Sequence, residues 1–210
     1  MQFTADQVWG LAVRADTLNN GYLKEDKWEY INDQARKIGE ANKVLVKQWL
    51  RDNVQPTEAE IVKGQEYRAY FKTFTMKALT GQLNDFERQA MKIAAKDEFT
   101  GRDMIDFAIV SCLPSTARRD KERTELKRDI YASEQLVGNI GDTIVGDITV
   151  VSSRFNANYN KWRVQARMGE SFIDFWFSKE VQGECRIKGK IKNVRCGEKT
   201  TQLNYVKIIG

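Results

Sequence analysis

The chain has 210 residues, 41% apolar and 30% charged, with 34 Lys+Arg against 29 Asp+Glu and no histidine. This size and composition suit one or two globular domains, and no run approaches the roughly 18 apolar residues of a membrane span. The lack of histidine removes the commonest general base, the Ser-His-Asp and Cys-His arrangements and most zinc sites, so a non-enzymatic protein with no cofactor or metal is expected.

The start, MQFTADQVWGLAVRAD, has no basic n-region and no unbroken apolar h-region, so no secretory signal is expected. Cys112, Cys185 and Cys196 are an odd, sparse set without CxxC. They fit a reducing compartment, the cytoplasm, or the host cytoplasm for a viral protein. Thr4 caps a predicted helix reaching about Asp16, with Val8, Trp9, Leu11 and Ala12 as its apolar positions. After the Asn19-Asn20-Gly21 turn, Trp28, Ile31, Ala35, Ile38, Leu45 and Trp49 recur near the helical period and predict one long helix from about Glu25 to Asp52. Pro56-Thr57-Glu58 starts another, reaching Leu79 with Tyr67, Tyr70, Phe71 and Phe74 as an aromatic stripe. Asn84-Asp85 opens a helix to about Lys96. Met104 to Leu113 is a short one ended by Pro114, and Thr116 to Gln135 is a charge-dense one.

At Gly138 the period changes from helical to alternating. Five strands are predicted at about 143–154, 161–168, 171–178, 184–195 and 200–209, with Gly169-Glu170 as a two-residue hairpin turn, glycine first. The expected class is α+β: a helical domain over 1–135, then a five-stranded antiparallel barrel over 138–210. Charge divides along similar lines. Met1–Glu134 holds 22 Lys+Arg against 22 Asp+Glu, whereas Gln135–Gly210 holds 12 against 7, which is the whole surplus of +5. Such asymmetry points to an anionic partner.

The hairpin turn sets the register: Arg163 faces Trp176, Gln165 faces Asp174, and Arg167 faces Phe172. One face is apolar. The other alternates guanidinium groups with large rings, a mixture suited to unpaired bases and phosphates. In RIKGKIKNVR, Lys188, Lys190 and Lys192 share a face and form a candidate backbone track. Phe155 and Tyr159, in the link after the first strand, either clamp a ligand or cap the barrel.

Five strands, a glycine within IVGDI and another within IKGKI, and this ligand-like face resemble the OB-fold. The segment is similar in particular to the OB-folds of phage and bacterial single-stranded DNA-binding proteins. The resemblance covers about the last 73 residues. It implies a single-stranded nucleic-acid binder, DNA first, acting in replication, recombination or repair, with the helical part for a protein partner or oligomerisation. Two departures stand out. SKEVQG leaves almost no room for the usual helix between strands three and four, and YVKIIG carries no acidic tail.

Other readings stay open. Phe172 and Trp176 are alternatively covered by the helical part, with Arg163 and Arg167 pairing its acids, and the lysines blunt a sheet edge. A second functional reading is a protein-protein adaptor, an assembly or anti-defence factor, whose barrel face meets a protein. A metal-dependent nuclease is a distant third. Asp174 with Glu184-Cys185-Arg186 places arginine where a lysine is needed, and Asp103/Asp106 most simply form a solvated face.

Overall fold

The computed structural model describes residues 1–32, 34–133, 136–195 and 199–209. It divides into two compact units, Met1–Lys121 and Glu122–Gly210.

The first unit is built on α1 (Ala5–Leu18), which follows β1 (Gln2–Thr4). The Thr4 side chain accepts from Gln7 N–H and closes the helix start. Val8, Trp9, Leu11 and Ala12 are buried as the apolar spacing predicts.

The next segment departs from the expected long helix. Residues Lys27–Ile31 form β2 and Gln34–Gly39 form β3, an antiparallel hairpin, and only Asn42–Arg51 is helical (α2). Asn32 takes φ +49°, a left-handed step that ends any helix. The run Trp28-Glu29-Tyr30-Ile31 has the aromatic and β-branched content of a strand. Of the periodic positions, Trp28 and Ile31 are each 50% exposed, whereas Leu45 in α2 is buried.

The chain continues through α3 (Glu58–Lys72), α4 (Thr75–Leu79), α5 (Asp85–Ala95), β4 (Glu98–Thr100), α6 (Met104–Val110) and α7 (Leu113–Ala132). Reciprocal capping boxes at Thr57/Glu60 and Asn84/Glu87 start α3 and α5. β4 pairs with β1. Pro114 does not end a helix. It sits in the first turn of α7, where its missing N–H costs nothing. The aromatic stripe packs inward: Phe71 and Phe74 meet edge to face at 5.3 Å, and Trp9 lies 6.3 Å from Phe71. Asp103 and Asp106 both pair with Lys96, which accounts for that acidic pair.

Arg14 grips Glu60 with two hydrogen bonds, at 2.9 and 2.7 Å, while Glu60 also accepts from Thr57 N–H. Burial raises the Glu60 carboxyl, but these hydrogen bonds outweigh it and hold the group below its ordinary value of 4.5. A depressed folded pKa means stabilisation that is complete above the ordinary carboxylate range and lost as pH falls through the folded value. Glu60→Gln should therefore cost about 1 kcal/mol at pH 7. Denaturant titrations at pH 7 and pH 2 should show that gap closing in acid. An equal gap at both would rule out the ion pair as its source.

The second unit holds the C-terminal part of α7 and five strands: β5 (Thr143–Asn156), β6 (Lys161–Met168), β7 (Ser171–Phe177), β8 (Glu184–Arg195) and β9 (Thr200–Ile208). They close into a barrel in the order β5-β6-β7-β9-β8. The register of β6 on β7 is the one the turn predicts, from Met168↔Ser171 to Trp162↔Phe177. Gly169, at φ +60°, supplies the left-handed first position of that turn. The barrel is not wholly antiparallel, because β7 and β9 run parallel. Parity requires it: directions cannot alternate around a ring of five strands, so at least one seam is parallel.

Ile148, Val164, Ala166, Ile173, Phe175, Ile187, Ile191 and Leu203 fill the barrel. SKEVQG forms no helix, and instead Val181 is buried against this cluster. Ser133, just after α7, donates to the Glu170 carbonyl, and Asp129 of α7 pairs with Arg167 at 3.8 Å. No helix among the described residues is long and apolar enough to cross a membrane.

Candidate functional site

The outward face of β6, β7, β9 and β8 has two ends of different character. Pairing lines up Arg167, Phe172 and Thr200 across β6, β7 and β9 at one end. Gln165, Asp174, Gln202 and Asn193 form the next row. Arg163 faces Trp176, and Asn204 faces Lys190, towards the other end.

The first end is closed. Phe172 is 2% exposed and Asp174 1%, and Thr200 and Gln202 are also buried. The Arg167 guanidinium lies 5.1 Å over the Phe172 ring and pairs with Asp129. Arg163 donates to Asp174 at 3.4 Å. Phe172 is thus withdrawn from any stacking role expected of it, and both arginines of the alternating face already hold carboxylates. Asp129 of α7, in the same unit, is the acid that reaches Arg167.

The second end is open. A groove of about 850 Å³ is lined there by Tyr159, Trp176, Tyr205, Lys161, Lys192 and Arg195, together with Ser178, Asn204 and apolar wall residues of β7 and β9. Its described lining contains three cations and no carboxylate. Tyr159 stands on the β5–β6 link and meets Trp176 at 5.2 Å with planes tilted 56°. Tyr159 is exposed and Trp176 half-buried, so one ring braces the other while both stay partly accessible to solvent. A positive, ring-lined, open trough attracts anions and offers flat surfaces to unpaired bases.

The other candidates lie elsewhere. Phe155 is exposed but packs on Trp162 at 5.6 Å and does not line the groove. Lys188 and Lys190 are exposed on β8 beyond the groove wall. Lys188 stands directly opposite Lys207 of β9, and no ion pair joins either to a described carboxylate. Like charges facing across a ladder repel, so an anion over that pair would relieve it. The Cys112 and Cys185 thiols are pushed up by burial and stay protonated near neutral pH, while Cys196 lies outside the described residues.

Sequence reasoning did not single out Lys161, Arg195, Asn204 or Tyr205. For Tyr205 a signal existed. Leu203 and Val206 both pack on the barrel core, and inward residues three apart break the period of two. No protein-family profile, no curated protein and no solved structure matches the chain.

Proposed function

We propose that the second unit is an OB-like barrel that binds single-stranded nucleic acid in the groove between Tyr159, Trp176 and Lys192. Single-stranded DNA is the first candidate, and replication, recombination and repair are the processes that expose it. The carrying observation is the groove's lining: Lys161 and Lys192, neither paired with a described carboxylate, beside the accessible rings of Tyr159, Trp176 and Tyr205. Two features of the barrel support the reading. Its five strands join in a closed order with one parallel seam. OB-folds are five-stranded Greek-key barrels that take oligonucleotides on strands two and three and on the loop between strands one and two. Trp176 belongs to the third strand here, and Tyr159 to that loop.

Titration of the whole protein with a fluorescent oligo-dT at several salt concentrations tests the proposal. Affinity should fall with salt by about 0.7 log units per log unit of salt for each phosphate contact. Unlabelled duplex should compete poorly, because its bases are already stacked. No measurable affinity at low salt for any oligonucleotide, DNA or RNA, would remove this function.

The second reading, a protein-protein adaptor, is favoured by one observation in the first unit. The β2–β3 hairpin exposes Trp28, Tyr30, Ile31 and Ile38 together with two strand edges that pair with no other strand among the described residues. Exposed apolar patches and free edges suit protein contact. In the nucleic-acid reading this hairpin serves as the helical unit's partner surface.

A further inference from the structure

Strand β9 departs from regular geometry at one residue. Against β8 its register runs Lys190↔Asn204 and then Lys188↔Lys207, so three steps on β9 answer two on β8. The extra residue makes a bulge, and Tyr205 within it takes φ +54°. That is the left-handed region, where a Cβ crowds the following carbonyl and glycine is the usual occupant. Tyr205 is also 82% exposed, so burial of its ring does not offset the strain.

The surroundings accommodate the bulge. Leu203 and Val206, on either side of Tyr205, both turn inward. They meet β8 at Gly189, where a Cβ would lie 3.1 Å from Val206 Cγ2 and 3.3 Å from Leu203 Cδ1. The glycine in IKGKI thus leaves room for two inward side chains, and the bulge between them turns Tyr205 outward onto the groove wall. Among the described residues its ring makes no aromatic contact and its hydroxyl no hydrogen bond. Strain held in a residue that neither the core nor a polar network uses is characteristic of a ligand contact.

We infer that Tyr205 is a second stacking platform of the groove, mounted on β9 apart from the Tyr159–Trp176 pair, so that unpaired bases stack at two places. This inference rests on the reading of the groove as a single-strand site. The test measures oligo-dT affinity and thermal midpoint for wild type and for Tyr205→Gly, Tyr205→Asn and Tyr205→Phe. Glycine and asparagine both tolerate the left-handed step and both lack the ring. Their variants should bind about 5- to 150-fold more weakly. Their thermal midpoints should stand at or above that of wild type, because strain is relieved. The phenylalanine variant should bind like wild type. In the Trp176→Ala/Tyr205→Gly double variant the two fold-losses should multiply, as for independent platforms.

Wild-type affinity with no loss in the glycine and asparagine variants overturns the inference and leaves the groove's function standing. Loss in the phenylalanine variant as large as in the glycine one assigns the contact to the hydroxyl and overturns stacking. A midpoint well below wild type in both ringless variants makes the ring structural. A double variant no weaker than either single one means a single shared platform. If wild type itself binds no oligonucleotide, the proposed function and this inference fall together.

Discussion

Replacing Lys161 and Lys192 together by glutamate is expected to weaken single-strand binding by about 4 kcal/mol at low salt, roughly a thousandfold. Both lysines line the groove and neither has a carboxylate partner among the described residues. Two opposite charges about 4 Å apart in water gain about 1 kcal/mol. Reversal removes that attraction and adds a repulsion of the same size, about 2 kcal/mol at each site. The neutral pair Lys161→Gln/Lys192→Gln should lose about half as much and lower the salt slope by about 1.4. Trp176→Ala should lose about 1–3 kcal/mol with the slope unchanged, because stacking releases no counterion. Arg163→Ala and Arg167→Ala should have small effects on binding, since Asp174 and Asp129 already hold these side chains. Oligonucleotide titrations across a salt series separate the cases. If the glutamate pair binds like wild type, the groove is not the path of the phosphates, and the Lys188–Lys207 strip of β8 and β9 becomes the candidate.

The second large effect concerns stability. Phe175 is fully buried inside the barrel and Trp9 is 1% exposed in the helical unit. Phe175→Ala and Trp9→Ala should each cost about 3–5 kcal/mol, the lost transfer energy plus the cavity left behind. Domains of this size have a total stability of about 5–15 kcal/mol, so either change removes a large part of its unit's stability. The two residues belong to separate apolar clusters. Each variant should therefore unfold in two steps, with the early one in the barrel for Phe175→Ala and in the helical unit for Trp9→Ala. Hydrogen exchange resolved by residue reads which amides open first. Early opening of the same amides in both variants would show that the two clusters unfold as one.

The strands of the barrel and the starts of α1, α3 and α5 were legible in the chain itself. Thr4, Thr57 and Asn84 act through hydrogen bonds to residues three positions on, and Gly169 acts through its own backbone. These are interactions between near neighbours, and alternation over Trp162–Met168 and Ser171–Phe177 extends them into a register without help from the rest of the chain. The parallel seam was implicit too, in the parity of five strands. By contrast, the spacing of Trp28, Ile31, Ala35 and Ile38 admits both a helix and a hairpin, and what selects the hairpin includes distant partners: Asp26 holds Ala41 N–H and pairs with Lys37. Composition could place rings and arginines on the outer face of β6 and β7, but not say which would meet solvent. Phe172 is buried with Arg167 drawn to Asp129, while Trp176 opens into a groove walled by Tyr205 and Lys192, residues far along the chain. Short-range chemistry fixes elements and their pairing because its energies are settled within a few residues. Burial and openness depend on what barrel closure brings alongside each side chain, and that is decided only by the assembled fold.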